Sequence, residues 1–466
     1  MINKLQKKFI ILVALSLGLG LITKSIGLSN PQAIAISIFS ASAFGTLLFW
    51  DFRVAIAFLG VAALLVTKTV DLENVVRFAS LEVILFLVGM MVLIGMLKDV
   101  GFFGWLLTVV LRVRNLRAKK LIWIISITSA LFACCVDEVT SIVFMAAVIL
   151  EICDYFEVDP TPYIIISVLA TNIGSTGTVL GNPIGILIAA KSGLTFEDFI
   201  FKAFPLMAIC LLGITSLLIV WYRKSIKKLD EKIQELQAND ILIKLLSVPP
   251  ERKLKLGFAV FGLTLLFIAF HHRLELLWKL ETNTLLLTMP LISAGSVMIW
   301  KWSKARDYIV KDVDWWTLLF FMLLFAKAGT LKYTGATDVL AQRLLGLTGS
   351  NTSHLTGVVL WASAMGSSIL DNVVLVAAFV PVIQSLQTLN FNLQPLWWAL
   401  LFGGCLGGNI TMVGSTANIV ALGILEKEKN IRMTFFRWFW VGLTVGIITT
   451  AIVWLALTFI PYYKLP

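Results

Sequence analysis

Two adjacent acids, Asp137 and Glu138, stand inside SALFACCVDEVTSIVFMAAVI, with about a dozen uncharged residues on either side. An ionised carboxylate in such surroundings costs several kcal/mol unless something binds it. A second polar tip, Asp371 and Asn372, interrupts SSILDNVVLVAAFVPVI. Acids placed this way suit the binding of Na⁺ or the exchange of H⁺, with Na⁺ expected near Asp137 and Asp371. Each tip is followed by an apolar stretch loaded with Gly, Asn and Thr. The first is VLATNIGSTGTVLGNPIGILIAA, which carries Asn172, Thr176, Thr178 and Asn182. The second is LFGGCLGGNITMVGSTANIVALGI, which carries Asn409, Thr411, Ser415, Thr416 and Asn418. Glycine permits backbone that leaves N–H and C=O groups free, and the side chains add donors and acceptors for an ion. Close helix packing is the competing explanation for one such cluster, and is weaker for two at matching positions.

The elements that must hold these residues are membrane helices. Of 466 residues, 59% are hydrophobic and 14% charged, and ten or so apolar runs approach the ~20 residues needed to cross a bilayer. The chain therefore reads as an all-α polytopic membrane protein. A soluble protein of this length would need far more polar surface. The net charge of +11 does not point to nucleic acid, because the basic residues cluster in short loops. Examples are Arg112, Arg114, Arg117, Lys119 and Lys120, and Lys301, Lys304, Arg306 and Lys311, a pattern of cytoplasmic loops. Cys134, Cys135, Cys153, Cys210 and Cys405 lack metal or redox spacing and read as packing residues. The N-terminus has the basic head and apolar body of a signal peptide, but reads as a first, retained helix. No HExxH, GxSxG or phosphate loop appears, and no cofactor is expected.

The second half echoes the first at a shift of about 234 positions. LFLVGMMVLIGMLKDVG from Leu85 matches LFFMLLFAKAGTLKYTG from Leu319, and SALFACCVDEV from Ser129 matches SAMGSSILDNV from Ser363. TVLGNPIGI from Thr178 then meets TMVGSTANI from Thr411 with a slip of one residue. The expected organisation is N-terminal membrane helices (1–75), a first repeat (76–222), a cytoplasmic linker (223–254), linking and scaffold helices (255–312) and a second repeat (313–466). Arms of about 13 or 14 residues flank Asp137, and as helix would reach ~20 Å, short of the ~30 Å hydrocarbon core. That favours a re-entrant hairpin with its tip at mid-depth over one long tilted helix. Interrupted segments at corresponding positions of two repeats point to a transporter's binding site. Lys327 reads as a snorkelling or paired lysine, His271 and His272 as interfacial, and Asp51, Glu82 and Asp314 as helix-end acids.

With these motifs the chain resembles the ion transporter superfamily, nearest to the branch of the P protein and the arsenite exporters, with a domain like that of citrate transporters. Sodium/proton antiporters and divalent-anion/sodium symporters are wider relatives. The resemblance implies two inverted repeats with opposed re-entrant hairpins and broken helices, a scaffold domain and a mobile transport domain, elevator-like movement, and a homodimer in the lipid bilayer. It places Asp137, Glu138, Asp371 and Asn372 at the hairpin tips, and Asn172 to Gly185 and Asn409 to Asn418 in the broken helices. Where relatives often read Asp-Asn this chain has Asp137–Glu138, and where they often read GDPPN it has Gly181-Asn182-Pro183-Ile184-Gly185. The paired Ser-Asn-Thr signatures of dicarboxylate symporters are missing.

The expectation is secondary active transport of a small inorganic ion, an anion or oxyanion such as arsenite, coupled to Na⁺ or H⁺. The alternatives are a Na⁺/H⁺ antiporter and, from another class, an ion channel. A bacterial inner or plasma membrane is the default location.

Overall fold

The computed structural model describes residues 4–49, 52–102, 105, 117–237, 252–281, 284–348, 351–387 and 391–464. Asp51, Arg112, Arg114 and the Pro249–Pro250 pair lie outside the described residues. Within them the chain is helix and turn, with no strand. Among the described residues five helices are long and apolar enough to cross a membrane, or up to eight if each sharply bent pair counts as one span. The protein is an all-α polytopic membrane protein.

The duplication read from the sequence reappears in the order and length of the helices. Leu81–Asp99 and Trp315–Tyr333 each have 19 residues, and Ala118–Cys135 and Thr352–Ile369 each have 18. Thr161–Gly174 and Gln394–Gly407 each have 14. The first helix of each repeat ends at a glycine with positive φ, Gly101 at 83° and Gly335 at 74°. A side chain there would be strained, so glycine is what lets the chain leave the helix in a left-handed turn.

Each polar tip is a helix start. Asp137 accepts the Thr140 backbone N–H at 2.8 Å and its hydroxyl at 2.7 Å, capping Glu138–Tyr155. Asp371 accepts the Val373 N–H at 3.0 Å and caps Asn372–Leu386. The acid that looked out of place in an apolar run is thus the residue that ends one arm and begins the next. The chain then folds back. Ser141 Oγ donates to the Ser129 carbonyl at 3.1 Å, and Gly366 faces Leu375 closely. A single tilted helix is excluded. The arms, however, are longer than the sequence suggested: each arm of the first hairpin has 18 residues, about 27 Å of helix. They run on through Lys119, Lys120 and Asp154, because helix formation is set by backbone bonding and does not stop where apolarity does.

Each hairpin is followed by a broken helix. Thr161–Gly174 unwinds through residues 175–182 and resumes as Pro183–Ser192; Gln394–Gly407 unwinds through 408–415 and resumes as Thr416–Lys429. The first halves lie hard against the hairpins. A Cβ on Gly174 would come within 2.4 Å of Ala130 Cα, and one on Gly407 within 2.5 Å of Ala364 Cα.

Helices outside the repeats brace them. Asn30–Leu48 and Arg53–Val66 pack against Trp315–Tyr333. There Lys327 is buried, bonded to Ser42 Oγ and set beside Gly60. It does not snorkel. Thr284–Trp300 packs on Leu81–Asp99, where Gly89 abuts Pro290. His271 is buried, its Nδ1 2.8 Å from the Ile268 carbonyl. The helical start of the linker, Arg223–Gln237, is amphipathic and buries Ile226, Leu229 and Ile233. Asp230 there accepts the Ala118 N–H at 2.8 Å, tying the linker to the base of the first hairpin.

Candidate functional site

The sequence-predicted polar residues meet where the hairpin tips and the unwound segments converge. Asn372 Nδ2 donates to Glu138 Oε1 at 3.1 Å. These two occupy the same position in their respective repeats, 234 residues apart. Beside them, Thr416 Oγ1 donates to Asp371 Oδ2 at 2.9 Å. Asn172 holds the two unwound regions together: its Nδ2 donates to Asn409 Oδ1 and to Asn418 Oδ1, both at 2.8 Å, and its Oδ1 accepts from Ser415 Oγ at 3.2 Å. Asn418 Nδ2 in turn donates to the Gly408 and Thr411 carbonyls at 2.8 and 2.9 Å, satisfying backbone that the break in the helix leaves free. Asn182 does the same work in the first repeat, donating to Ser175 Oγ at 2.9 Å and Cys405 Sγ at 3.0 Å while accepting the Gly185 N–H at 2.7 Å.

These contacts are reciprocal. Asn182 and Ser415 are equivalent N-caps of the resuming half-helices, and Cys405 and Asn172 are equivalent positions one helix earlier. Asn182 bonds Cys405, and Ser415 bonds Asn172. Within each repeat one further contact recurs: Thr178 Oγ1 donates to the Cys134 carbonyl, and Thr411 Oγ1 to the equivalent Ser368 carbonyl. Contacts in which i meets j′ and i′ meets j are those of a twofold relation. A residue that meets its own counterpart, as Glu138 meets Asn372, lies on the axis.

Three carboxylates gather here, all buried: Asp137, Glu138 and Asp371. Glu138 Oε2 has no hydrogen-bond partner among the described residues, although Ser175 lies near; the same holds for Asn409 Nδ2. Thr176 sits at the edge of the cluster with its hydroxyl on the Ile173 carbonyl at 2.7 Å. Thr178 and Thr411 spend their protons on the hairpins, fixing each unwound segment to its neighbour.

A family model described as citrate transporter matches residues 45–403. The chain belongs to the citrate transporter family. Among the similar members, an uncharacterized transporter of Mycobacterium tuberculosis is 31% identical over 74% of this chain and 79% of that one. The 46 kDa membrane protein of Mycobacterium leprae is 29% identical over 80% and 84%. The P protein of Homo sapiens is 27% identical over 82% of this chain and 54% of that longer one. The paired motifs that suggested the P protein branch therefore identify kin.

In this citrate transporter family member one candidate residue, Arg53, belongs to none of the paired sequence motifs. It is buried, donates from Nη2 to Thr317 Oγ1 at 2.9 Å, stacks over Phe320, and is near enough to Asp371 for their charges to interact. The signal was present, since an arginine leading an apolar run is as costly as an acid. Asp314 was read as a helix-end acid and does cap Trp315–Tyr333, through the Thr317 N–H at 3.1 Å. Glu82, another such acid, pairs with Lys191 at 2.9 Å.

Asn172→Leu tests the bracket between the unwound segments. The change strands Asn409, Asn418 and Ser415 without their shared partner, and each orphaned buried group costs about 1–3 kcal/mol. The expected result is a clear drop in the melting temperature of the purified protein. A transition unchanged from wild type would show that the bracket carries no weight.

Proposed function

We propose that this membrane transporter is a secondary active transporter that moves a small inorganic anion or oxyanion, arsenite included, coupled to Na⁺ or H⁺. The observation that carries the reading is the Glu138–Asn372 contact on the axis between the repeats, flanked by Asp137 and Asp371. A carboxylate at the point shared by two halves binds a cation or proton that both halves feel. Rearranging one half against the other then changes that binding, which is what coupling requires. The half-helices beginning at Pro183 and Thr416 present N-termini that favour negative charge. In this reading Asn182, Ser415 and Asn418 position the unwound backbone, and Asp137, Glu138 and Asp371 take the coupling ion. The repeats are inverted and move as an elevator against a scaffold, within a homodimer in a bacterial inner membrane.

A second reading, Na⁺/H⁺ antiport, is favoured by charge: three carboxylates gather at the site while one guanidinium, Arg53, lies near Asp371, a balance that suits a cation. The family description adds citrate as a candidate anion. The deciding experiment is flux into proteoliposomes under imposed Na⁺ or pH gradients, with arsenite, citrate and labelled Na⁺ assayed separately. Gradient-driven accumulation of arsenite supports the proposal. Na⁺ movement with no anion requirement rejects it in favour of antiport, and accumulation of citrate alone replaces the inorganic anion with an organic one. Conduction without accumulation identifies a channel.

A further inference from the structure

Away from the carboxylate cluster, a cavity of about 490 Å³ opens between the short helix Leu72–Phe78, the helix Trp315–Tyr333, the second arm of the second hairpin and the second half of the first broken helix. Its floor is apolar and buried, with Leu187, Phe325 and Val380. Its rim is cationic, with Arg77, Lys191 and Lys332. Lys191 is paired with Glu82, and Lys332 donates to Gln384 Oε1 at 3.2 Å. Arg77 has no ion pair among the described residues.

The twofold relation supplies a comparison within the same molecule. A second cavity, about 410 Å³, lies between the second arm of the first hairpin and the second half of the second broken helix. Its Val143, Ala147 and Leu150 are the counterparts of Ala377, Pro381 and Gln384 in the first. Here the rim is acidic: Glu151, Asp154 and Glu428, with Lys429 bonded to Asp154. Two of the four elements that build the first cavity have counterparts here, and there Ile424 stands where the first cavity has Lys191. Arg77 and Lys332 come from the two elements without a counterpart, so the cationic rim is particular to the first cavity.

We propose that the cationic cavity beside the second hairpin is a capture site for an anion bearing carboxylate or oxyanion groups, at one mouth of the path to the buried carboxylates. The proposal deepens the transport reading and rests on it for the destination of the anion. The rim cations supply attraction that falls with salt, and the apolar floor receives the carbon part of an organic anion. Such a site is too roomy to select among small anions. It raises their local concentration next to the hairpin, and selection is left to the inner cluster. The same chemistry would hold an anionic lipid headgroup, and the test separates the two sources.

The measurement is calorimetric binding of citrate and of sulfate to the full chain in phosphatidylcholine nanodiscs. Arg77→Gln with Lys332→Gln is expected to weaken binding about tenfold at low salt, and the difference is expected to vanish near 1 M salt, where the screening length is about 3 Å. Lys224→Gln with Lys228→Gln, an equal loss of charge on the linker helix, is expected to change affinity less than twofold. The tenfold loss is expected to persist when Asp371→Asn is also present, so that binding at the inner cluster does not account for it. Equal affinity of wild type and the Arg77/Lys332 variant overturns the proposal, as does a wild type that binds neither probe. If adding phosphatidylglycerol to the nanodiscs blocks the probes in wild type, the cavity holds lipid and capture of a solute is overturned. Absent flux with rim-dependent binding sinks the transport reading alone; normal flux with binding blind to the rim sinks this one alone.

Discussion

Asp371→Asn is expected to abolish coupled flux, by at least about a hundredfold, the scale seen when one preorganised charged group is removed from a buried site. The purified variant is expected to keep its helical content and melting transition. The separation follows from what each oxygen does. Asp371 Oδ1 caps the second hairpin arm through the Val373 N–H at 3.0 Å, and asparagine caps as well as aspartate. Oδ2 accepts the Thr416 hydroxyl at 2.9 Å; an amide nitrogen in its place donates to the same hydroxyl, which can turn to accept. Shape and bonding survive while the charge is lost. Asp137→Asn is expected to behave alike, since its two oxygens serve the Thr140 N–H and hydroxyl. Gradient-driven uptake in proteoliposomes, beside circular dichroism and a melting curve, reads both halves of the expectation. Normal uptake in both variants would remove these acids from the ion path.

Gly174→Ala and Gly407→Ala are expected to be among the most damaging single-methyl changes in the repeats. Each glycine lies where a broken helix crosses its hairpin. The added carbon would sit 2.3 Å from the Ala130 carbonyl oxygen in one case and 2.2 Å from that of Ala364 in the other. Both neighbours are backbone and cannot rotate away, so the helices must separate. Overpacking costs about 1–3 kcal/mol and occasionally more, and here the upper end is expected because the crossing also sets the position of the unwound segment. Gly213→Ala, on a helix face with nothing within 4 Å, is the control. The measurement is melting temperature and monodisperse yield. Variants at Gly174 and Gly407 that melt with the Gly213 variant would mean that the close crossing is wrong.

Much of the repeat was legible because duplication leaves its trace in register. The 234-residue shift, and the slip of one residue before the broken helices, reappear as matching helix starts at Ala118 and Thr352 and then at Pro183 and Thr416. The tips were legible because a carboxylate in an apolar run needs a reason, although its capping role was not anticipated. Arm lengths were misjudged because apolarity marks only the part of a helix that meets lipid. Arg53 and the cationic cavity were not seen, since both depend on bringing residue 53 of the N-terminal helices and residue 77 at the start of the first repeat against the second repeat. No local pattern encodes that contact. Lys327 illustrates the same limit: its burial is set by Ser42 and Gly60, far away in the chain.

The meeting of Glu138 with Asn372 bears on how such a chain could have arisen. Had the halves once been identical, each would have set this residue against its own copy: glutamate against glutamate, which repels, or amide against amide, which leaves no charge at the centre. One substitution in a fused gene removes that dilemma, and no assembly of two equal subunits could do so. Fusion thus allowed a lone acid to sit on the seam with a neutral donor facing it.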